Sequence, residues 1–148
     1  MKVVLDIETD GFNPSKIHCI VVKDIDTNTL TVWDSGNMYG FKNWAKGVDT
    51  FIMHNGLSFD APVLNRLLDA EILPGNIVDT LILSQLFNPI REKGHSLKAW
   101  GEKLNMLKGG EGVNFSKYNQ AMLDYCKQDV EITHAVYKEL LKESKGFS

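Results

Sequence analysis

The hydrophobic positions of this chain fall into short apolar blocks in its first half and helical stripes in its second. Val3 to Ile7 is apolar apart from Asp6, the pattern of a short strand buried in the middle of a sheet. Ile17 to Lys23 is a second run, rich in branched residues. After the turn-forming Asp24-Ile-Asp-Thr-Asn28, Thr29 to Trp33 returns as a third strand, which makes a hairpin. Phe41 to Ala45 predicts a short helix, and Phe51 to Met53 a fourth strand ending at the turn His54-Asn55-Gly56. Ala61 to Glu71 carries apolar residues at 63, 64, 67 and 68 with Pro62 in its first turn, so a helix is expected there. Asn76 to Val78 fits a fifth strand. Asp79 caps a helix through Leu86, and Ser96 caps another to about Leu104. Asn88 to His95 reads as a polar loop and Lys108-Gly-Gly-Glu-Gly112 as a flexible one. Tyr118 to Leu141 is a long final helix with apolar positions at 118, 122, 125, 132, 136 and 140. Strand, hairpin, strand, then alternating helices and strands predicts an α/β fold with a mixed sheet flanked by helices, in a single domain over residues 1–148.

Against that pattern, certain carboxylates are out of place. Asp6 and Glu8 end an apolar strand two residues apart, so both leave the same face, where two like charges repel unless a cation lies between them. Asp6-x-Glu8-x-Asp10-Gly11 imitates the start of a calcium loop. However, the acid required at the loop's twelfth position would be Ile17, and the preceding segment is a strand rather than a helix. Glu8 and Asp10 could also be solvated turn residues. Asp60 follows His54-Asn-Gly-Leu-Ser-Phe at a strand end and opens a helix, so by itself it reads more readily as a helix cap than as a ligand, although a cap position can serve both. Asp129 interrupts the apolar stripe of the last helix one turn beyond Tyr125, so the two share a face directed at the core. Buried carboxylates are costly unless paired or metal-bound. Asp79 has the better claim as a cap and stays outside this set. The four histidines have no metal-binding spacing, and His134 is expected on the exposed side of its helix.

Composition narrows the picture only slightly. The 148 residues are 43% hydrophobic and 24% charged, ordinary globular values. No run approaches the roughly 18 apolar residues of a membrane helix, and Asp6 cuts short any signal-peptide core. Cys19 and Cys126 form no CxxC, so neither a disulfide framework nor a zinc knuckle is indicated, and a reducing cytoplasm fits. A net charge of −3 argues against a nucleic-acid coat protein, but two divalent ions would turn −3 into +1.

The three segments DIETDGF, HNGLSFDAPVL and YCKQDVEIT resemble, in order, the three motifs of the 3′–5′ proofreading exonuclease domain of family-A DNA polymerases. The phage type is the closer pattern, within the DEDD exonuclease superfamily. VDTLILSQLF and HSLKAWGEKLN resemble its connecting segments, so the likeness covers nearly the whole chain. A tyrosine four residues before the last aspartate places the pattern in the tyrosine branch. The resemblance implies a ribonuclease-H-like mixed five-stranded sheet. It also implies that Asp6, Glu8, Asp60 and Asp129 hold two Mg²⁺ or Mn²⁺ ions, while Tyr125 positions the attacking water. A phenol, with its ordinary pKa of about 10, is a poor base at neutral pH. The implied reaction is hydrolysis of single-stranded or frayed DNA 3′ ends to nucleoside 5′-monophosphates. Thr9, Phe12, Asn55 and Phe59 beside the motifs would grip the strand. Arg91, Lys93 and His95, in one polar loop, would either meet phosphates or form a solvated surface. A monomer in the cytoplasm is expected, the host's cytoplasm if the source is viral. The chain would work alone, beside a separate polymerase subunit, or as an excised domain. It is shortened between Phe87 and Asp124 relative to the phage polymerases. Two rivals stay open: a ribonuclease on the same fold, and a silent nucleic-acid-binding accessory module.

Overall fold

The computed structural model describes residues 1–107, 109 and 112–147. Residues 108, 110 and 111 of the glycine-rich stretch, for which flexibility is expected, lie outside the described residues, as does Ser148.

Five strands form one sheet: β1 Lys2–Thr9, β2 Ile17–Asp24, β3 Leu30–Trp33, β4 Thr50–Met53 and β5 Ile77–Asp79. Their order is β3-β2-β1-β4-β5. The first three pair antiparallel, while β1–β4 and β4–β5 pair parallel, which makes the sheet mixed. The apolar run around Val3 to Leu5 occupies the centre because only a central strand is covered on both faces; all three residues are at most 1% exposed. Each such side chain contributes about 1.5–3 kcal/mol on full burial.

Alternation along β1 sends Val3, Leu5 and Ile7 to one face. There they pack with Phe41 of α1 Phe41–Ala45 and with Val63 and Leu64 of α2 Ala61–Leu68. Val4 goes to the other face with Cys19 and Val21, against Cys126 and Val130 of the long α5 Gln120–Ser144. The strand alternation puts Asp6 and Glu8 on that second face, under α5. Two further helices, α3 Thr80–Phe87 and α4 Leu97–Lys103, pack against α5 and surround a third cluster made by Leu97, Trp100, Ile132, Val136 and Leu140.

This arrangement corrects one expectation. His134 is buried, with 5% exposed, rather than facing solvent. A helix on the outside of a two-layer fold has one buried stripe, but α5 is enclosed by the sheet on one side and by α4 on the other. It therefore carries two buried rows, and residues 129, 130, 132, 133 and 134 are all covered. His134 lies near Lys23, itself ion-paired to Glu131 at 2.9 Å. Burial first, then the Lys23 charge, pushes its imidazole below its ordinary value. The α2 helix is also shorter than its apolar pattern, ending at Leu68 where Asp69 turns left-handed at φ 53°.

Candidate active site

The β1 strand carries its two acids to the edge of a cleft. Asp6 pairs with Val21 of β2 and Glu8 with Cys19, and the register slips between Glu8 and Thr9, so regular pairing ends just past the two acids. Beyond it, Asp10 holds the following loop through hydrogen bonds from the Ser15 and Lys16 amides and from the Ser15 hydroxyl. Asp10 is therefore a loop clasp.

Asp60 arrives from a different construction. After β4, Asn55 takes the left-handed conformation (φ 68°) and residues Gly56–Asp60 form a wide π-helical turn that runs directly into α2. The Ala61 amide bonds back to the Gly56 carbonyl, so the first turn of α2 is already satisfied from behind. Asp60 thus has helical backbone angles and makes no cap hydrogen bond, and the cap reading is set aside. The turn is held by Asp79, whose Oδ1 accepts from the Asn55 and Leu81 amides (2.9 and 3.0 Å) and whose Oδ2 accepts from the Leu57 amide (3.1 Å). Asp79 is indeed the cap of α3, and it pins the Asp60 turn as well. Gly56 is required by close approach: a Cβ there would lie 2.3 Å from Met53 Sδ.

Asp129 and Tyr125 come from α5, one turn apart. Asp129 is 4% and Asp60 5% exposed, while Asp6 and Glu8 are half-buried. The four carboxylates sense one another. Burial first, then the charges of Asp129, Asp60 and Glu8, raises Asp6 well above the carboxylate range. Burial first, then Asp79, Glu8 and Asp129, pushes Asp60 up to about 8. Asp60 Oδ2 is buried with no hydrogen-bond partner. Four hard oxygen donors, crowded enough to repel and including a buried oxygen left unsatisfied, fit a divalent magnesium- or manganese-type cation.

The neighbouring cleft, about 640 Å³, is lined by Glu8, Thr9, Phe12, Phe59, Phe115, Tyr125 and Asp129, among others. Of the residues expected to grip a strand, Thr9, Phe12 and Phe59 line it, and Phe12 is fully exposed. Asn55 is not in the lining; it serves the turn through its backbone. Phe115 escaped the sequence reading. It meets the Tyr125 ring edge-on at 5.5 Å, but it lies in an irregular segment with no periodicity to flag it. Cys126 escaped too: its thiol donates to the Asp6 main-chain oxygen (3.5 Å) and to Asp6 Oδ2 (3.4 Å). Its position three before Asp129 was the available signal.

Arg91, Lys93 and His95 sit elsewhere, around a separate hollow of about 290 Å³ that Arg91 and Lys93 line. Arg91 forks onto Glu143 of α5 (2.9 and 2.8 Å), donates to the Ser84 carbonyl and stacks over Trp100. His95 spends its ring nitrogens on Ser84 Oγ and the Pro89 carbonyl, and Lys93 pairs with Glu102. The loop is therefore an internal tether, because a guanidinium buried to this degree needs its carboxylate partner.

Among the described residues no helix is long and apolar enough to cross a membrane. Residues 2–145 match the family model for the 3′–5′ exonuclease of DNA polymerase A. The DNA-directed DNA polymerase of Escherichia phage T7 is 28% identical and that of Enterobacteria phage T3 27% identical, each over 98% of this chain. The chain spans about a quarter (27%) of those polymerases. The T7 alignment runs to 192 positions, more than the chain's 148 residues, so the relative has insertions that this chain lacks. In fold, the chain is similar to the Aedes aegypti Nibbler EXO domain, with a TM-score of 0.72 and 12% identity over 99% of this chain and 80% of that one. It is also similar to the family B DNA polymerase of the archaeon Pyrobaculum calidifontis, with a TM-score of 0.68 and 18% identity over 95% of this chain and 24% of that one. These two likenesses establish the ribonuclease-H-like fold. Exonucleases of the matched family generally use divalent metals. The chain belongs to the 3′–5′ exonuclease family of DNA polymerase A, and it is an exonuclease.

Proposed function

We propose that residues 1–148 act as one exodeoxyribonuclease domain of the tyrosine branch that removes nucleoside 5′-monophosphates from single-stranded or frayed DNA 3′ ends. The observation that carries this reading is the gathering of Asp6, Glu8, Asp60 and Asp129, from three separate segments, beside one aromatic cleft. Asp6, whose charge couples to all three other acids, is suited to be shared by two ions. Glu8 and Asp129 would complete one of them and Asp60 the other. When bound, such a pair stabilises the entering and departing oxygens of an in-line displacement. Tyr125, held edge-on by Phe115, points its ring into the cleft and orients the attacking water. Phe12, Phe59 and Phe115 offer faces on which an unstacked base rests with little sequence preference. A monomer acting on DNA in the cytoplasm, with a polymerase as a separate or fused partner, is consistent with relatives that are DNA polymerases.

The test is digestion of 5′-labelled DNA and RNA oligonucleotides of one sequence, with Mg²⁺, Mn²⁺ or chelator. A metal-dependent ladder shortening from the 3′ end of DNA is expected. Asp6→Ala with Glu8→Ala should abolish it while the fold holds. Equal digestion by that double variant would overturn the ligand assignment, and a preference for RNA would favour the ribonuclease reading.

A further inference from the structure

We propose that this centre also binds thiophilic divalent cations, of the zinc and cadmium class, by recruiting the Cys126 thiol alongside Asp6 and Glu8. The inference rests on the reading of the carboxylate cluster as a cation centre, and it adds a ligand and a class of inhibitor that the nuclease chemistry does not need.

The donors are already near coordination distance. A carboxylate oxygen of Asp6, one of Glu8 and Cys126 Sγ all lie within 4.8 Å of one another. Sγ is 3.4 Å from Asp6 Oδ2. A tetrahedral ion with a metal–sulfur bond of about 2.3 Å and metal–oxygen bonds of about 2.1 Å sets its sulfur and oxygen ligands roughly 3.6 Å apart. The Sγ–Oδ2 pair therefore needs almost no movement, and Glu8 needs a side-chain adjustment on the order of an ångström. An independent sign of a cation is Asp60, 5% exposed, whose Oδ2 has no hydrogen-bond partner and whose charge acts on Asp6.

Ligand chemistry then separates the ions. Magnesium and manganese take oxygen and water, so the sulfur is a bystander to them. Zinc and cadmium favour thiolate, and as the metal–sulfur bond forms the thiol hydrogen leaves to water as a proton, with no change of oxidation state. A thiophilic ion therefore draws Asp6 toward α5 and competes with the hard ions for the same carboxylate.

The experiment is Cd²⁺ titration of the metal-stripped full chain, followed by the near-ultraviolet thiolate-to-cadmium charge-transfer absorption. Cys126→Ser, Cys126→Ala and Cys19→Ser are run in parallel. Parent and Cys19→Ser should develop the band. Both Cys126 variants should lack it and bind Cd²⁺ about 10–100-fold more weakly, the scale on which changes around a bound metal act. Their Mn²⁺ affinity, read by calorimetry, should hold level. A band that persists in either Cys126 variant, or that fails to appear in the folded parent at saturating Cd²⁺, overturns the proposal. Mn²⁺-dependent digestion in the same preparations separates the two readings. Digestion without a band defeats this inference alone. A Cys126-dependent band without digestion supports it and defeats the nuclease assignment.

Discussion

Asp60 concentrates the physical problem of this site in one side chain. Its carboxyl is buried, surrounded by three other acids, and held up near pH 8 by burial and then by Asp79 and Glu8. Asp60→Asn keeps the shape and removes the need to take up a proton on folding at neutral pH. In metal-free protein at neutral pH this substitution should stabilise the fold, on the order of 1–3 kcal/mol. It should also shrink the thermal stabilisation that Mn²⁺ confers, which melting with and without the ion would measure. Destabilisation without metal, or an undiminished Mn²⁺ effect, would contradict the crowded-carboxylate picture. Tyr125→Phe tests the other functional atom: if the hydroxyl only positions water, turnover should fall roughly tenfold to a hundredfold with Mn²⁺ binding retained. Legibility in the sequence follows from these same environments. Asp129 stood out because an acid inside an apolar stripe has no packing explanation. Asp60 was ambiguous because its capping type hid the π-helical turn that makes a cap unnecessary. Cys126 looked like ordinary filling, since its contact with Asp6 is made across the sheet–helix interface, 120 residues away in sequence.

At the scale of elements, the site depends on how turns and helices are tied together rather than on strand content. The turn between β4 and α2 is fixed by Asp79 from below and by the absence of a Gly56 side chain above Met53. Gly56→Ala puts a Cβ 2.3 Å from Met53 Sδ and 2.4 Å from Met53 Cβ, so a loss of about 1–3 kcal/mol is expected from overpacking. Because the strain is applied at the base of the π-helical turn, digestion should fall more steeply than denaturant stability. An activity loss no greater than the unfolded fraction would show that the turn tolerates the shift. Arg91 presents the opposite case, a side chain that ties elements together through Glu143, Ser84 and Trp100. Arg91→Ala takes the guanidinium away from the partly buried Glu143 and should cost about 1–3 kcal/mol, while the folded fraction keeps its KM for oligonucleotide. A raised KM would restore the phosphate-contact reading of that loop. The elements themselves were legible to within a few residues because apolar period and cap residues agree, as at Ser96, which accepts from the Ala99 amide, and Asp79, which accepts from the Leu81 amide. The second buried row of α5 was not. The expected apolar stripe is the face that packs on α4 through Ile132, Val136 and Leu140, whereas the row through Cys126 and Val130 lies against the sheet. His134, beside Lys23 of β2, was misplaced because nothing in the helix's own period marks that sheet-facing side.

For the whole molecule, the cluster sets how stability responds to pH and to metal. An acid whose pKa is raised on folding binds more protons in the folded state than in the unfolded chain, so stability falls as pH rises between the two values. Asp60 spans the interval from an ordinary carboxylate, about 4, to about 8, and Asp6 moves in the same direction. Two sets of groups act against this trend. Asp10, Asp49, Asp69 and Glu143 are lowered by their hydrogen-bond partners, and their stabilisation is lost only as pH falls below about 4. His134 is lowered by burial, so it adds stability as pH climbs toward its unfolded value of about 6.5 and nothing beyond. From about 6.5 to 8 the carboxylate cluster is the shifted group still titrating, and metal-free protein should lose stability steadily across that window. Divalent ions reverse the slope. If they bind at these acids as proposed, they would occupy the site only as its protons leave, and ligand at a hundredfold over its dissociation constant would add about 2.7 kcal/mol. Melting curves with Mn²⁺ and with chelator should therefore separate progressively as pH rises. A constant gap would mean that the ion binds away from these acids. A metal-free curve that rises through the same window would mean that the four carboxylates do not share their charge, and with that the chemistry assigned to them would fail.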